Sequence, residues 1–105
     1  MNNKVVKDYY IIKVGRKNKK DAYNIIQKIF YKVVDILRKN KIIPDQSSLV
    51  KSKIKPQYQS KKRSWVFSTI FVVLGTQKEL ERAFKHLSRI GVQRLQTKPS
   101  INFLN

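Results

Sequence analysis

Apolar residues along this chain switch between two periods, and the switches divide it into elements. Residues 8–14 alternate, with Tyr10, Ile12 and Val14 on one side and Tyr9, Ile11 and Lys13 on the other, which is the period of a strand. From residue 21 to about residue 40 the spacing lengthens to three and four, placing Ala22, Ile25, Ile26, Ile29, Val33, Ile36 and Leu37 in one stripe. Phe30 and Val34 widen that stripe to the breadth expected of a helix lying on a sheet, while Lys28, Lys32, Asp35 and Lys39 mark the solvated side. Asn18 is placed to cap this helix, with Asp21 in its acidic first turn.

Beyond a turn predicted at Pro44-Asp45, residues 49–54 alternate again. Val50, Ser52 and Ile54 fall on one side, Lys51 and Lys53 on the other. Pro56 cannot donate a ladder hydrogen bond, so this segment is an edge strand or its end. Residues 57–63 read as a basic loop. Residues 64–74 carry β-branched and aromatic side chains on both faces, as a central strand does. Thr76-Gln77-Lys78-Glu79 matches a capping box, and Leu80, Ala83, Phe84 and Leu87 give the helix that follows an apolar stripe. Gly91 suits its C-terminal cap. A short strand over residues 92–97 is closed by Pro99, and the remaining tail still carries Ile101, Phe103 and Leu104.

The order β-α-β-β-α-β is the split βαβ, or ferredoxin-like, arrangement. The class expected is α+β: a four-stranded antiparallel sheet with two helices on one face. One domain spans residues 1–105, with a core of about 8–98 and a docking tail at 99–105.

Composition narrows the function. Twenty-four Lys and Arg against six Asp and Glu in 105 residues give a formal charge of +18. Self-repulsion on this scale is relieved by a polyanion, and nucleic acid is the leading candidate. A hydrophobic share of 41% separates the chain from disordered basic tails, which lack the apolar surface that offsets ordering entropy. With no Cys and a single His, at 86, disulfide scaffolds, thiolate sites and multi-histidine sites are excluded. The apolar-rich run over residues 65–74 is well short of the roughly 20 residues a membrane helix needs, and no apolar leader stands at the start. The carboxylates are scattered, and neither a nucleophile motif nor a glycine-rich phosphate loop is present. The expectation is therefore a protein that is not an enzyme. It has no catalytic or metal-binding residues, no cofactor, no small-molecule substrate and no membrane partner.

In this topology the loop after the first strand, the basic loop at 57–63 and the turn at 89–91 share one end. Arg16, Lys17, Lys19, Lys20, Lys61, Lys62, Arg63 and Arg89 would meet there, beside the positive end of the first helix. A single lysine-rich loop is usually only solvated, but three converging on one end point to phosphate binding. Lys51, Lys53 and Lys55 would line one face of the second strand, spaced to follow a backbone. Lysine on an edge strand also blocks unwanted pairing, so two readings stand together there. Tyr9, Ile11, Trp65 and Phe67, with Ile101, Phe103 and Leu104 of the tail, compose a surface for a protein neighbour. Base stacking on Trp65 or Phe67 is the alternative.

Residues 67–74 as a central strand, then Gly75-Thr76, Glu79, Leu80 and Phe84, and finally Ile90-Gly91-Val92-Gln93-Arg94-Leu95 resemble the S-six family of bacterial-type small-subunit ribosomal proteins. Tyr9-Tyr10-Ile11-Ile12 resembles that family's opening strand, and Ile54-Lys55-Pro56 sits where it has an apolar–aromatic–Pro–Ile segment. Arg94 matches the arginine of its last strand. The Trp-Gly and Arg usual in the family's second strand are absent, with Lys51 and Lys53 as the only basic stand-ins. The resemblance implies a ferredoxin-like structural constituent of the small ribosomal subunit. It would bind ribosomal RNA beside the small-subunit protein numbered eighteen, with Arg94 joining the RNA-binding set. The high charge favours an organellar ribosome over a bacterial one; the expected location is a mitochondrial ribosome, with a plastid one or one in bacterial cytoplasm as alternatives. A free RNA-recognition-type binder of single-stranded RNA and a basic protein–protein adaptor are the alternatives.

Overall fold

In the computed structural model, which describes residues 4–43 and 49–96, the first strand is longer than its apolar alternation. This strand, β1, runs Val5–Arg16, and it pairs along its whole length with the two-faced strand β4, Ser64–Thr76. The helix α1 spans Lys19–Lys39, starting three residues before the apolar stripe does at Ala22. Asn18 is its N-cap, accepting the Asp21 N–H through its side chain. The capping box at the second helix, α2 (Gln77–Arg89), is complete. Thr76 Oγ1 accepts from the Glu79 N–H at 3.2 Å and Glu79 returns to the Thr76 N–H at 2.9 Å. Because Thr76 is both the end of β4 and the N-cap, strand passes into helix with no loop.

The edge beside β4 is occupied by two segments, β2 (Val50–Lys51) and β3 (Lys55–Gln59), both antiparallel to it. On the other side of β1 lies β5, Gln93–Arg94, also antiparallel. Counting β2 and β3 as one interrupted edge strand, the sheet has four positions in the order edge–β4–β1–β5. This is the ferredoxin-like α+β arrangement, in which the strand expected over residues 92–97 comprises Gln93–Arg94 among the described residues.

Both helices pack on the face formed by Tyr10, Ile12 and Val14 of β1 and Phe67, Phe71 and Val73 of β4, all buried. Tyr10 and Phe71 stack with centroids 5.3 Å apart, and Phe30 of α1 meets Phe71 edge-on at 6.4 Å. Ala22, Ile26, Val33 and Leu37 come from α1, and Leu80, Ala83 and Leu87 from α2. A fully buried side chain of the Leu or Ile type contributes roughly 1.5–3 kcal/mol, so this one cluster supplies most of the drive to fold. Ile25, Ile29 and Phe84 pack against it only partly buried.

The edge strand departs from simple alternation. Val50 and Lys51 oppose Val72 and Phe71, whereas Lys55 opposes Ser68, so four steps on the edge match three on β4. One extra residue is therefore accommodated between β2 and β3, which is a β-bulge. It is centred on Ser52, whose N–H donates to the Ile70 carbonyl at 2.7 Å. Residues 57–59, expected in a loop, belong to β3, and only residues 60–63 form the turn.

Candidate nucleic-acid interface

The upper end of the sheet is set by the pair Arg16–Trp65. Arg16 and Lys17 leave β1 there, and Lys19 and Lys20 open α1 after the Asn18 cap. The turn carrying Lys61, Lys62 and Arg63 closes β3 onto β4 just beyond, across the pair Gln59–Ser64. All seven cations are exposed. The ion pairs found among the described residues, Lys39 with Asp35 and Arg94 with Asp8 and Glu81, lie elsewhere. Asp21 is the nearest carboxylate in sequence, in the first turn of α1. Arg63 holds a left-handed backbone (φ 48°), which lets a four-residue turn close with three cations on its rim.

Arg89 does not join them. Gln93 lies opposite Ile11, five residues below Arg16, so α2 ends near mid-sheet. At about 3.3 Å per strand residue that is roughly 15 Å short of the upper end. The reason is the difference in rise: α2 climbs about 1.5 Å per residue beside a strand of the same length that climbs twice as fast.

Arg94 is also placed differently from the expectation. Its side chain lies on the helix face with its guanidinium 4.2 Å from the Phe84 ring centroid and 6.0 Å from that of Tyr10. Nε stands 3.4 Å from an Asp8 oxygen and Nη1 donates to Glu81 at 3.2 Å. The Tyr10 hydroxyl donates to the same Asp8 oxygen at 3.0 Å. Burial, reinforced by the Asp8 charge, pushes the Tyr10 phenol above its usual range. Burial alone would lower the pKa of Arg94, but Tyr10, Asp8 and Glu81 outweigh it and the net shift is upward. Arg94 thus ties β5, β1 and α2 together rather than facing solvent for a phosphate.

The bulge redistributes the lysines of the edge. Lys51 shares the face of its partner Phe71, toward the helices, and its Nζ lies 5.3 Å from the Phe30 ring centroid. Lys55 opposes Ser68 on the other face, and Lys53 is exposed within the bulge. The three do not line one face, because a one-residue insertion inverts every later side chain.

The open face of the sheet carries Val5, Tyr9 and Ile11 from β1, Val66, Ile70, Val72 and Leu74 from β4, and Val50 from the edge. Lys7, Lys13 and Lys55 flank this apolar band. Tyr9 and Ile11 are where the alternation placed them. Phe67 and Trp65 are not: Phe67 is buried under α1, and Trp65 shares its face. A central strand is apolar on both sides, so its sequence leaves open which side the helices cover. Ile101, Phe103 and Leu104 lie outside the described residues.

One group of residues escaped the sequence reading. Tyr23, Gln27 and Tyr31 recur every four residues along one flank of α1, with Gln27 donating to the Tyr23 hydroxyl at 3.0 Å. Between this flank and the edge strand runs an open groove, formed by two depressions that meet at Ile54. The signal was the eight-residue spacing of Tyr23 and Tyr31, two helical turns apart and just outside the apolar stripe, with Gln27 midway.

Among the described residues no cluster of His, Asp and Glu is suited to a metal ion, and no helix is long and apolar enough to cross a membrane. Compared with protein-family models, curated proteins and solved structures, the chain finds no match.

Proposed function

We propose that this chain is a structural RNA-binding protein of the small ribosomal subunit, of the S-six type, acting without catalysis or cofactor. The observation that carries the RNA-binding part is the upper end of the sheet. Seven exposed cations from two separate segments converge there, beside the N-terminus of a 21-residue helix and away from the ion pairs described above. Such an end suits the phosphates of a folded RNA, where charge from several strands is dense. The ribosomal part rests on the sequence resemblance through β4, α2 and β5, and it draws nothing from Arg94, which serves inside the fold. The apolar band on the open sheet face supports a protein neighbour, by resemblance protein eighteen of the small subunit. The unusual excess of charge favours an organellar ribosome over a bacterial one, with the mitochondrial ribosome as the proposed location.

The test is in two parts. RNA affinity measured against salt should fall steeply, and replacing Arg16, Lys17, Lys62 and Arg63 together by Gln should flatten the log–log slope by about 3, at roughly 0.7–0.9 per phosphate. The wild-type chain should also co-sediment with small ribosomal subunits through a high-salt wash. An unchanged slope removes the RNA role from this end. Binding to free RNA without retention on the subunit removes the ribosomal role alone.

A further inference from the structure

The groove between α1 and the edge strand opens onto the basic end, shares Lys19 and Lys20 with it, and adds aromatic rings to the charge. Tyr23 and Phe67 line its upper part, and Trp65 and Tyr58 carry the row of rings on from there across the sheet edge. Tyr58 and Trp65 lie 5.2 Å apart, Trp65 and Phe67 6.5 Å, and Phe67 and Tyr23 5.9 Å, edge to face. Phe67 is the buried floor, whereas Tyr23 and Tyr58 are 41% and 51% exposed. Lys19 places its ammonium 4.7 Å from the Trp65 ring centroid, and Lys51 does the same over Phe30 further down. Tyr31, 60% exposed, continues the line of aromatics along the helix.

No residue lining the groove is acidic, while Lys19, Lys20 and Lys51 are spread along it. Half-exposed aromatic faces with interleaved lysines are what a single nucleic-acid strand needs, since every base has a face to stack and every phosphate a charge to neutralise. An added peptide strand is the other occupant a sheet edge attracts. Pro56 removes a donor from that edge and the bulge at Ser52 breaks its repeat, and both features discourage pairing.

We infer that the groove between α1 and the edge strand is a subsite for single-stranded RNA, with bases stacked on Tyr58, Trp65 and Tyr23 and phosphates held by Lys19, Lys20 and Lys51. This deepens the proposed RNA-binding function and rests on it. The basic end grips the backbone of folded RNA, and the groove takes an unpaired segment leaving it. A base arriving at Trp65 displaces the Lys19 ammonium from the ring and frees it for a phosphate.

Trp65 is the sole tryptophan of the chain, so its emission reports one place, the upper mouth of the groove beside Lys19. The wild-type chain is titrated with a ten-nucleotide single-stranded RNA, with the same sequence as a duplex, with inorganic polyphosphate and with an oligoglutamate peptide. Binding of the labelled strands is followed in parallel by anisotropy. The single strand should quench Trp65 saturably, and the duplex and polyphosphate should bind with far less quenching. Tyr58→Ala, a half-exposed edge position, should weaken the single strand at least about fivefold and leave polyphosphate unchanged. If the single strand binds with Trp65 and Tyr58→Ala both indifferent, the groove is not its site, and the RNA-binding reading survives. If no RNA binds at all, both fall together. Equal quenching by the acidic peptide assigns the groove to a protein segment and overturns the inference.

Discussion

The hydroxyl of Ser52 accepts the main-chain N–H of Ile70 at 2.9 Å, the part a backbone carbonyl plays in a regular ladder. The exchange is completed by the Ser52 N–H, which donates to the Ile70 carbonyl, and by the Thr69 hydroxyl, which donates to the Ser52 carbonyl at 2.9 Å. Ser52 and Thr69 are the buried polar side chains of the described residues, and each is accounted for by this bulge. Lys51, before the bulge, faces the groove, and the bulge turns Lys55, after it, toward the open face, so the insertion at Ser52 separates the charges of the edge strand.

Ser52→Ala should leave the Ile70 N–H unsatisfied in a part-buried position and cost about 1–3 kcal/mol in urea unfolding. Faster hydrogen exchange at the Ile70 amide should accompany it. A cost below about half a kcal/mol would mean that the edge strand re-pairs without its bulge, and the placement of the lysines would then need revision.

The sequence and the structure agree where a local period is tied to a core. The stripe from Ala22 to Leu37 defines α1, the Thr76–Glu79 box fixes the start of α2, and the apolar content of β4 on both faces marks it as central. They part where one residue decides the outcome. Val50, Ser52 and Ile54 alternate as a plain strand would, yet the insertion at Ser52 resets the register, and a hydroxyl standing in for a carbonyl leaves no periodic trace. Phe67 could have faced either side of a strand that is apolar throughout. Arg94 entered the RNA-binding set through the family resemblance, and its partners Asp8 and Glu81 are far from it in sequence, so that only the fold unites them.

Arg94→Met keeps an apolar stem over Phe84 and Tyr10 but leaves Asp8 and Glu81 without their cation. We expect a loss of about 1–3 kcal/mol, carried by the Asp8 pair, which is largely shielded from water, while the pair with the half-exposed Glu81 adds little. The salt slope of RNA binding should change by less than one unit. A slope flattened by a full unit with stability intact would reverse the assignment and make Arg94 a phosphate ligand.

Thr76→Ala should cost about 1 kcal/mol by removing an N-cap. It should also show a pH signature. Hydrogen bonds from the main chain and side chain of Thr76 hold the Glu79 carboxyl below its usual range. A carboxyl with a lowered folded-state pKa contributes stability above its unfolded value, near about 4.3, and loses it as pH falls through the folded value. The difference between wild type and Thr76→Ala should therefore be largest at neutral pH and shrink below about pH 4. A difference independent of pH in acid unfolding would detach Glu79 from the cap.

Both helices end in the same hydrogen-bond pattern, with different residues at the demanding position. After α2, the Gly91 N–H donates to Ser88 at 3.2 Å and the Val92 N–H to Leu87 at 3.2 Å; after α1, the Lys41 N–H donates to Arg38 and the Ile42 N–H to Leu37, each at 2.9 Å. This is the Schellman pattern, which puts one residue in the left-handed region. Gly91 adopts φ 87° there without penalty, whereas Lys41 adopts φ 59° and bears the clash of its own Cβ. Opposite substitutions should thus have opposite signs. Gly91→Ala meets no neighbouring atom within 4 Å, so its cost is conformational alone, about 1 kcal/mol. Lys41→Gly should stabilise by up to about 1 kcal/mol, because relief of the left-handed strain exceeds the extra entropy of a glycine in the unfolded chain. Thermal unfolding of the two variants beside wild type decides the matter. A Lys41→Gly variant less stable than wild type would show that the lysine side chain makes up for its backbone strain, and the symmetry between the two helix ends would not hold in energy.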